Sequence, residues 1–334
     1  LNVRRFIILT FVFFPVFISG IISSAQSLTQ RGSPMDFDEI QKFDGQKLDF
    51  SGPNCFNTAL RVTGVIPRDD LRYVHESEFR FYLTSSFEPV VGAPLFGDLV
   101  VYGARSSMGM DHAAVVVLAG SVFHKKDVGK KFGFHILPIG DVYKPESHEL
   151  IRNPLEPDGD SKKLGDQSTL ASDQTFYRLK KATSLETPPA TEADKRLGRF
   201  VLFLQTAVNQ NAPQWAVSKE MGLVSEGVAY ELKDRFWNQG GLWPLQLESL
   251  AFQIELSIKE TSFASRFADA RRDEISQQIY PGSPKFLREL IGELALLFGK
   301  NLSAESKEDL AKQIEADRIA RKLSLVQLVY NRSL

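Results

Sequence analysis

Cysteine is almost missing from this chain: Cys55 is the only one in 334 residues. An internal disulfide framework is therefore excluded, and a lone thiol is either an inert buried side chain, an intermolecular crosslink or a group kept for chemistry. An excess of one charge is missing too. The 40 basic and 41 acidic residues leave a net charge of -1, which argues against bulk nucleic-acid binding. No fixed-period repeat is present, and the longest apolar run lies at the N-terminus. The length is enough for about two domains.

That run, Phe6 to Ile22, follows Arg4-Arg5 and precedes the small residues Ser23-Ser24-Ala25. The pattern reads as an export signal over residues 1–25, cleaved after Ala25, with a retained membrane anchor as the alternative even though Pro15 interrupts the run. The expected location is the periplasm or outside the cell. Without this segment the balance is 38 basic against 41 acidic residues, or -3. In an oxidising compartment a structural cysteine would be paired, so export raises the weight of the chemical reading of Cys55.

The segment Gly52-Pro53-Asn54-Cys55-Phe56-Asn57-Thr58-Ala59-Leu60 predicts a helix start. Pro53 ends what precedes, Asn54 is a strong N-cap, apolar residues follow at helical spacing, and Gly64 is a stop. Cys55 then falls in the first turn, where free backbone N–H groups and the positive helix end favour a thiolate and should lower its pKa. Around it, Phe37, Ile40 and Phe43 suggest one short helix in a polar lead-in. Leu71, Val74, Phe79 and Tyr82 suggest an amphipathic helix over 68–83, closed by Pro89.

β-rich sequence begins at Gly97-Asp98, with Leu99 to Tyr102 as a strand. His112 to Leu118, Ala119-Gly120-Ser121 and Val122 to His124 read as a buried hairpin with a histidine at each outer end. Side chains alternate along a strand, so the two histidines share a face only if the turn has odd length or a bulge intervenes. A three-residue turn with His112 opposite His124 satisfies this, whereas a tight turn at Ala119-Gly120 alone sends His124 to the far face. A third strand is expected over Phe132 to Leu137, ending near Tyr143-Lys144-Pro145. Residues 151–192 are rich in Pro, Asp, Ser and Thr and read as a loop or linker, with Thr175 to Leu179 as a further strand of the sheet. From 193 to 334 the periodicity is helical, in runs over 197–208, 217–237, 245–258, 263–279, 284–298 and 304–330.

Cysteine hydrolysis needs a nucleophilic thiol, an imidazole to move its proton, a group to orient the imidazole and donors for the oxyanion. Cys55, His112 and His124 supply the residue types for the first three, Asp111 is an alternative orienting group, and the start of the Cys55 helix offers backbone donors. Asn54-Cys55-Phe56-Asn57, Gly97-Asp98-Leu99-Val100, Asp111-His112-Ala113-Ala114-Val115-Val116 and His124, in this order and spacing, resemble the exported NlpC-like cysteine peptidases and, more distantly, the CHAP-type amidases of the papain-like superfamily. The resemblance covers about residues 40–145. It implies an α+β papain-like domain at 26–150, with a Cys-bearing helix on an antiparallel sheet and an all-α C-terminal domain after it. It also implies Cys55 as nucleophile, His112 as base and then acid, and His124 as the orienting residue. The substrate implied is a peptidoglycan stem peptide or other envelope peptide, cleaved at an amide through a thioester, with no metal or cofactor. Asn54-Cys55-Phe56-Asn57 departs from the family's common Asp-Cys-Ser-Gly, and Phe43 stands where many members carry tyrosine.

Two other functions remain compatible with the residues: a non-catalytic envelope binding protein on the same fold, and a Cys-His acyltransferase. His75, His135 and His148 read as surface or loop histidines, and Trp215, Trp237 and Trp243 as packing residues of the helical half. Lys125-Lys126 and Lys130-Lys131 read as solvated strand ends, and Asp98 as a turn residue.

Overall fold

The computed structural model describes residues 32–48, 52–103, 110–129, 132–142, 174–181, 191–217, 232–236, 240–253, 283–320 and 329. The export signal expected over residues 1–25 lies outside the described residues, as do the loop over 151–173, the helical run over 263–279, His148 and Lys130-Lys131. The class is α+β, with a Cys-bearing helix on an antiparallel sheet and helices after it, as the sequence predicts. Among the described residues no helix is long and apolar enough to cross a membrane.

The first half begins with α1 (Phe37–Phe43), which Asp36 and Glu39 close with a reciprocal capping box. Next comes α2 (Cys55–Val62), capped by Asn54, whose Oδ1 accepts from Asn57 N–H at 3.1 Å. Its chain turns at Gly64, where φ is +71° and a Cβ would lie 2.5 Å from the Gly32 carbonyl oxygen, so only glycine fits. The helix expected over 68–83 is shorter: α3 spans Glu76–Ser86, and 68–75 is an irregular stretch in which Asp70, Arg72 and Val74 are buried. Its apolar spacing has the helical period, but Asp70, Arg72 and the backbone of Tyr73 to His75 find partners on other elements.

Six strands form one sheet: β1 (Phe87–Pro89), β2 (Leu99–Tyr102), β3 (His112–Leu118), β4 (Ser121–Lys125), β5 (Phe134–Pro138) and β6 (Gln174–Leu179). Their order is β1-β6-β2-β3-β4-β5, with every neighbouring pair antiparallel. β6 thus lies inside the sheet, and β1, which the sequence reading did not separate from the helix before it, is an edge strand ending in proline.

The sheet buries both faces. Leu99, Val101, Ala113, Val115, Val117 and Phe123 pack with α2 and α3, while Val100, Tyr102, Ala114, Val116, Val122 and Val142 form a cluster on the other side. With both faces apolar, the run Ala113 to Leu118 carries no alternation, which is why its register is invisible in the sequence.

The helical half comprises α4 (Glu192–Val217), a turn of helix at 232–236, α5 (242–253), α6 (Ser283–Leu297) and α7 (Ala304–Ala320). Leu197, Val201, Leu204, Leu247, Leu250, Leu290 and Leu294 make its core. Trp243 packs against that core across Gly198, where a Cβ would meet the indole at 2.6 Å. The side chains of Trp215 and Trp237 lie outside the described residues.

Candidate functional site

The hairpin resolves the parity of the two histidines in an unexpected way. Val115 pairs with Phe123 and Val116 with Val122, but Leu118 pairs with Ser121 across the two-residue turn Ala119-Gly120. The register shifts between Val116 and Leu118, so a bulge at Val117 restores the parity that the tight turn removes. The three-residue turn with His112 opposite His124 is therefore corrected: the same shared face is reached by a two-residue turn plus one extra residue. Gly120 takes φ +76° in that turn at no steric cost.

Both imidazoles are buried, and His112 Nε2 and His124 Nδ1 lie 2.8 Å apart with the rings nearly perpendicular. One nitrogen of this contact carries the proton and the other accepts it. The His112 ring also lies 5.9 Å from that of Tyr102, whose hydroxyl donates to the Ile139 carbonyl. His124, across the sheet from His135, is the hydrogen-bonded neighbour of His112, while Asp111 is exposed and uses its N–H on the Tyr102 carbonyl. The carboxyl of Asp111 is raised by partial burial and by Glu76.

Cys55 stands at the first position of α2, as expected, and is almost completely buried against Ala113 and Val115. Backbone N–H groups of Ala113, Phe56 and Cys55 itself favour its thiolate. Burial outweighs them, Asp127 adds to it, and the thiol is pushed up to about 12. The expected lowering of this pKa is corrected on that ground: the helix start is present, but the desolvation around it is larger. The histidine pair belongs by alternation to the face of Tyr102, Ala114 and Val122, whereas Cys55 packs with Ala113 and Val115 on the other face of the sheet.

Asn54 was read from the sequence as a cap alone, and Asp70, Arg72 and Glu78 were not singled out. Asn54 is a double latch: besides capping α2, its Nδ2 donates to the Val74 carbonyl at 2.9 Å and its Oδ1 accepts from Val74 N–H at 3.3 Å. Arg72, fully buried, binds Glu78 through Nη1 at 2.6 Å and Nη2 at 2.5 Å, and Asp70 through Nε at 3.1 Å. Burial disfavours its charge, but the two carboxylates hold its pKa above the usual value. Helices α4 and α5 complete this network. Gln205 donates to Asp70 at 2.8 Å, Ser249 to Glu78 at 2.5 Å and Ser77 to Glu248 at 2.8 Å, while Gln253 and Ser249 accept from the N–H groups of Tyr73 and His75. A signal for this interface was present: Gln246, Ser249 and Gln253 recur at helical spacing, with Glu248 beside them, in a segment whose other residues are mostly apolar.

Lys125 is also corrected. It is fully buried rather than solvated, with its ammonium donating to the carbonyls of Asp127 and Gly129. Asp98 accepts from Leu95 N–H and holds Arg178 through both carboxylate oxygens, tying β6 to β2. His75 caps α3. Phe43 packs on Phe134 with centroids 5.6 Å apart. Among the described residues no group of three or more His, Cys, Asp or Glu could hold a metal ion. Comparison of the chain with protein-family models, with curated proteins and with solved structures finds no match in any of the three.

Proposed function

We propose that this chain is an exported cysteine hydrolase, an amidase or endopeptidase acting on peptidoglycan stem peptides, with Cys55 as nucleophile, His112 as proton carrier and His124 as its orienting partner. The observation that carries the reading is the buried 2.8 Å contact between His112 and His124, on adjacent strands beside the strand peptide that touches the thiol. Two polar rings in an apolar sheet are costly unless they satisfy one another, and this pairing fixes the tautomer and direction of His112. The choice of wall peptides rests on the resemblance and on the export-like N-terminus.

The resting thiol is neutral, so its proton leaves during attack rather than before it. With Nε2 of His112 engaged by His124, Nδ1 takes the Sγ proton while sulfur bonds to the carbonyl carbon and the oxygen becomes anionic. Collapse breaks the C–N bond, and His112 returns the proton to the departing amine. Water, deprotonated by His112, then cleaves the thioester. His124 stabilises the imidazolium in both steps.

A second reading, a non-catalytic envelope binding protein, is favoured by the raised thiol pKa and by the alternation that assigns His112 and His124 to the sheet face away from α2. One experiment separates them: Cys55 alkylation against pH in the wild type and in His112→Ala, alongside digestion of purified sacculi by wild type and Cys55→Ala. The hydrolase requires a histidine-dependent rate and digestion that Cys55→Ala abolishes. Equal behaviour of all variants supports the binding protein, and a newly formed ester or amide instead of a freed amine identifies an acyltransferase.

A further inference from the structure

Three segments of chain meet at the end of the sheet where β3 stops: the loop 89–97 that leads from β1 to β2, the turn between β3 and β4, and residues 136–140 at the end of β5. Hydrogen bonds tie them there, with Gly97 N–H donating to the Val116 carbonyl at 2.9 Å and Ile139 N–H to the Gly120 carbonyl at 2.8 Å. Residues 89–97, 113–123 and 136–140 carry no charged side chain, which sets this end apart from a chain of mixed charge elsewhere. Asp98, just after the loop, is buried and held by Arg178. Of the six large apolar side chains left exposed among the described residues, four are here: Val91 at 98%, Leu95 at 58%, Leu118 at 52% and Phe96 at 50%. The surface projects, because a Cβ added at Gly92, Gly97 or Gly120 would meet nothing within 4 Å. Its backbone is also poor in free donors. Pro89 and Pro94 have no N–H, and those of Val90, Leu95 and Gly97 donate to the Phe176 carbonyl, the Asp98 carboxylate and the Val116 carbonyl.

We propose that this end of the sheet is a lipid-binding surface, and that Val91, Leu95, Phe96 and Leu118 insert at the headgroup–acyl boundary of a bilayer. A protein partner is recognised through a shaped apolar patch with a polar rim. A projecting, uncharged tip fits a deformable apolar phase instead, and N–H groups already bonded within the protein lower the cost of leaving water. The apolar run Phe6 to Ile22, read above as an export signal or anchor, brings the chain to the same surface. His112 is the first residue of β3 and Leu118 the last, so the histidine stands ~20 Å back from the inserted end along the strand. The assignment does not depend on the chemistry of Cys55.

The test places a bimane label at Val91→Cys, at Leu118→Cys or, as a reference far along the chain, at Asn301→Cys, each in the full chain with Cys55→Ala. The probe is a vesicle of phosphatidylethanolamine and phosphatidylglycerol, with or without a spin label on the acyl chains. On vesicles the labels at 91 and 118 are expected to be quenched by the spin-labelled lipid and shielded from iodide, while the label at 301 stays open to iodide. Leu95→Ser with Phe96→Ser should weaken insertion by roughly tenfold for each side chain removed, and so lower the lipid quenching at 91 and 118. A full chain that leaves the vesicles unbound overturns the assignment. So do labels at 91 and 118 that stay as open to iodide as the one at 301 on bound protein, which would leave the N-terminal run as the contact with lipid. Shielding that grows with protein concentration without vesicles overturns it as well, and makes a second copy of the chain the occupant.

Discussion

Asn54 is the residue on which the largest consequence can be worked from local geometry. Replacing it by alanine removes the cap of α2, worth about 1 kcal/mol. It also strips the Val74 N–H and carbonyl of their partners, bonded at 3.3 and 2.9 Å in a buried stretch, at roughly 1–2 kcal/mol each. The expected loss is about 3–5 kcal/mol. Asn54→Asp keeps both bonds to Oδ1, at 3.1 and 3.3 Å, and gains from a negative charge at the helix start. It loses the donor and sets a carboxylate against the Val74 carbonyl, so it should fall between alanine and wild type. Urea unfolding followed by both circular dichroism and tryptophan fluorescence measures the series, with coincident transitions required before free energies are compared. A loss below about 1 kcal/mol for Asn54→Ala would refute the latch. An aspartate variant as unstable as the alanine one would show that the two acceptor bonds contribute nothing.

Arg72→Leu leaves the Asp70 and Glu78 carboxylates facing each other in the interior and should cost about 3–5 kcal/mol, with partial recovery when Asp70→Asn and Glu78→Gln are added. A urea midpoint unmoved by the single substitution would contradict it. Cys55 gives a pH prediction whose sign follows from its raised pKa. The native protein keeps its thiol proton up to about 12, whereas the unfolded thiol ionises near 9.0. This contribution to stability is therefore full below about pH 9 and is lost as the pH rises toward 12, by at most ~1.4 kcal/mol per pH unit. Cys55→Ala should remove that part of the alkaline slope in urea midpoints measured from pH 8 to 11, and parallel curves for the two proteins would contradict the thiol's protected state.

Features determined by a few adjacent residues were legible in the sequence. Asn54 at the start of α2, Gly64 at its end and the short α1 all follow from local capping and apolar spacing. The order of thiol and histidines was legible as well, and so was the strand at Thr175 to Leu179. What escaped depends on distant partners. Leu71 and Val74 carry a helical period, yet the side chains of Asn54, Ser249 and Gln253 take the backbone groups that a helix would have used internally. The bulge at Val117 has no signature in a run of alanines and valines buried on both sides. The thiol pKa was misjudged for a similar reason: the helix start is local, but the enclosure that outweighs it is assembled from α2, β3 and the loop bearing Asp127.

The place of β6 bears on how the chain is made and cut. Because Gln174–Leu179 fills the slot between β1 and β2, a nascent chain that has emerged only through β5 holds two strands with a vacancy between them. Until the following segment arrives, the open ladder on β2 can accept a strand from any neighbour, and the nearest supply of the right sequence is another copy of the same chain. A fragment ended at 150 would keep this vacancy permanently and is expected to exchange strands or aggregate. One ended beyond Lys181 carries its own closing strand, and with it the Arg178–Asp98 clasp that fixes the register.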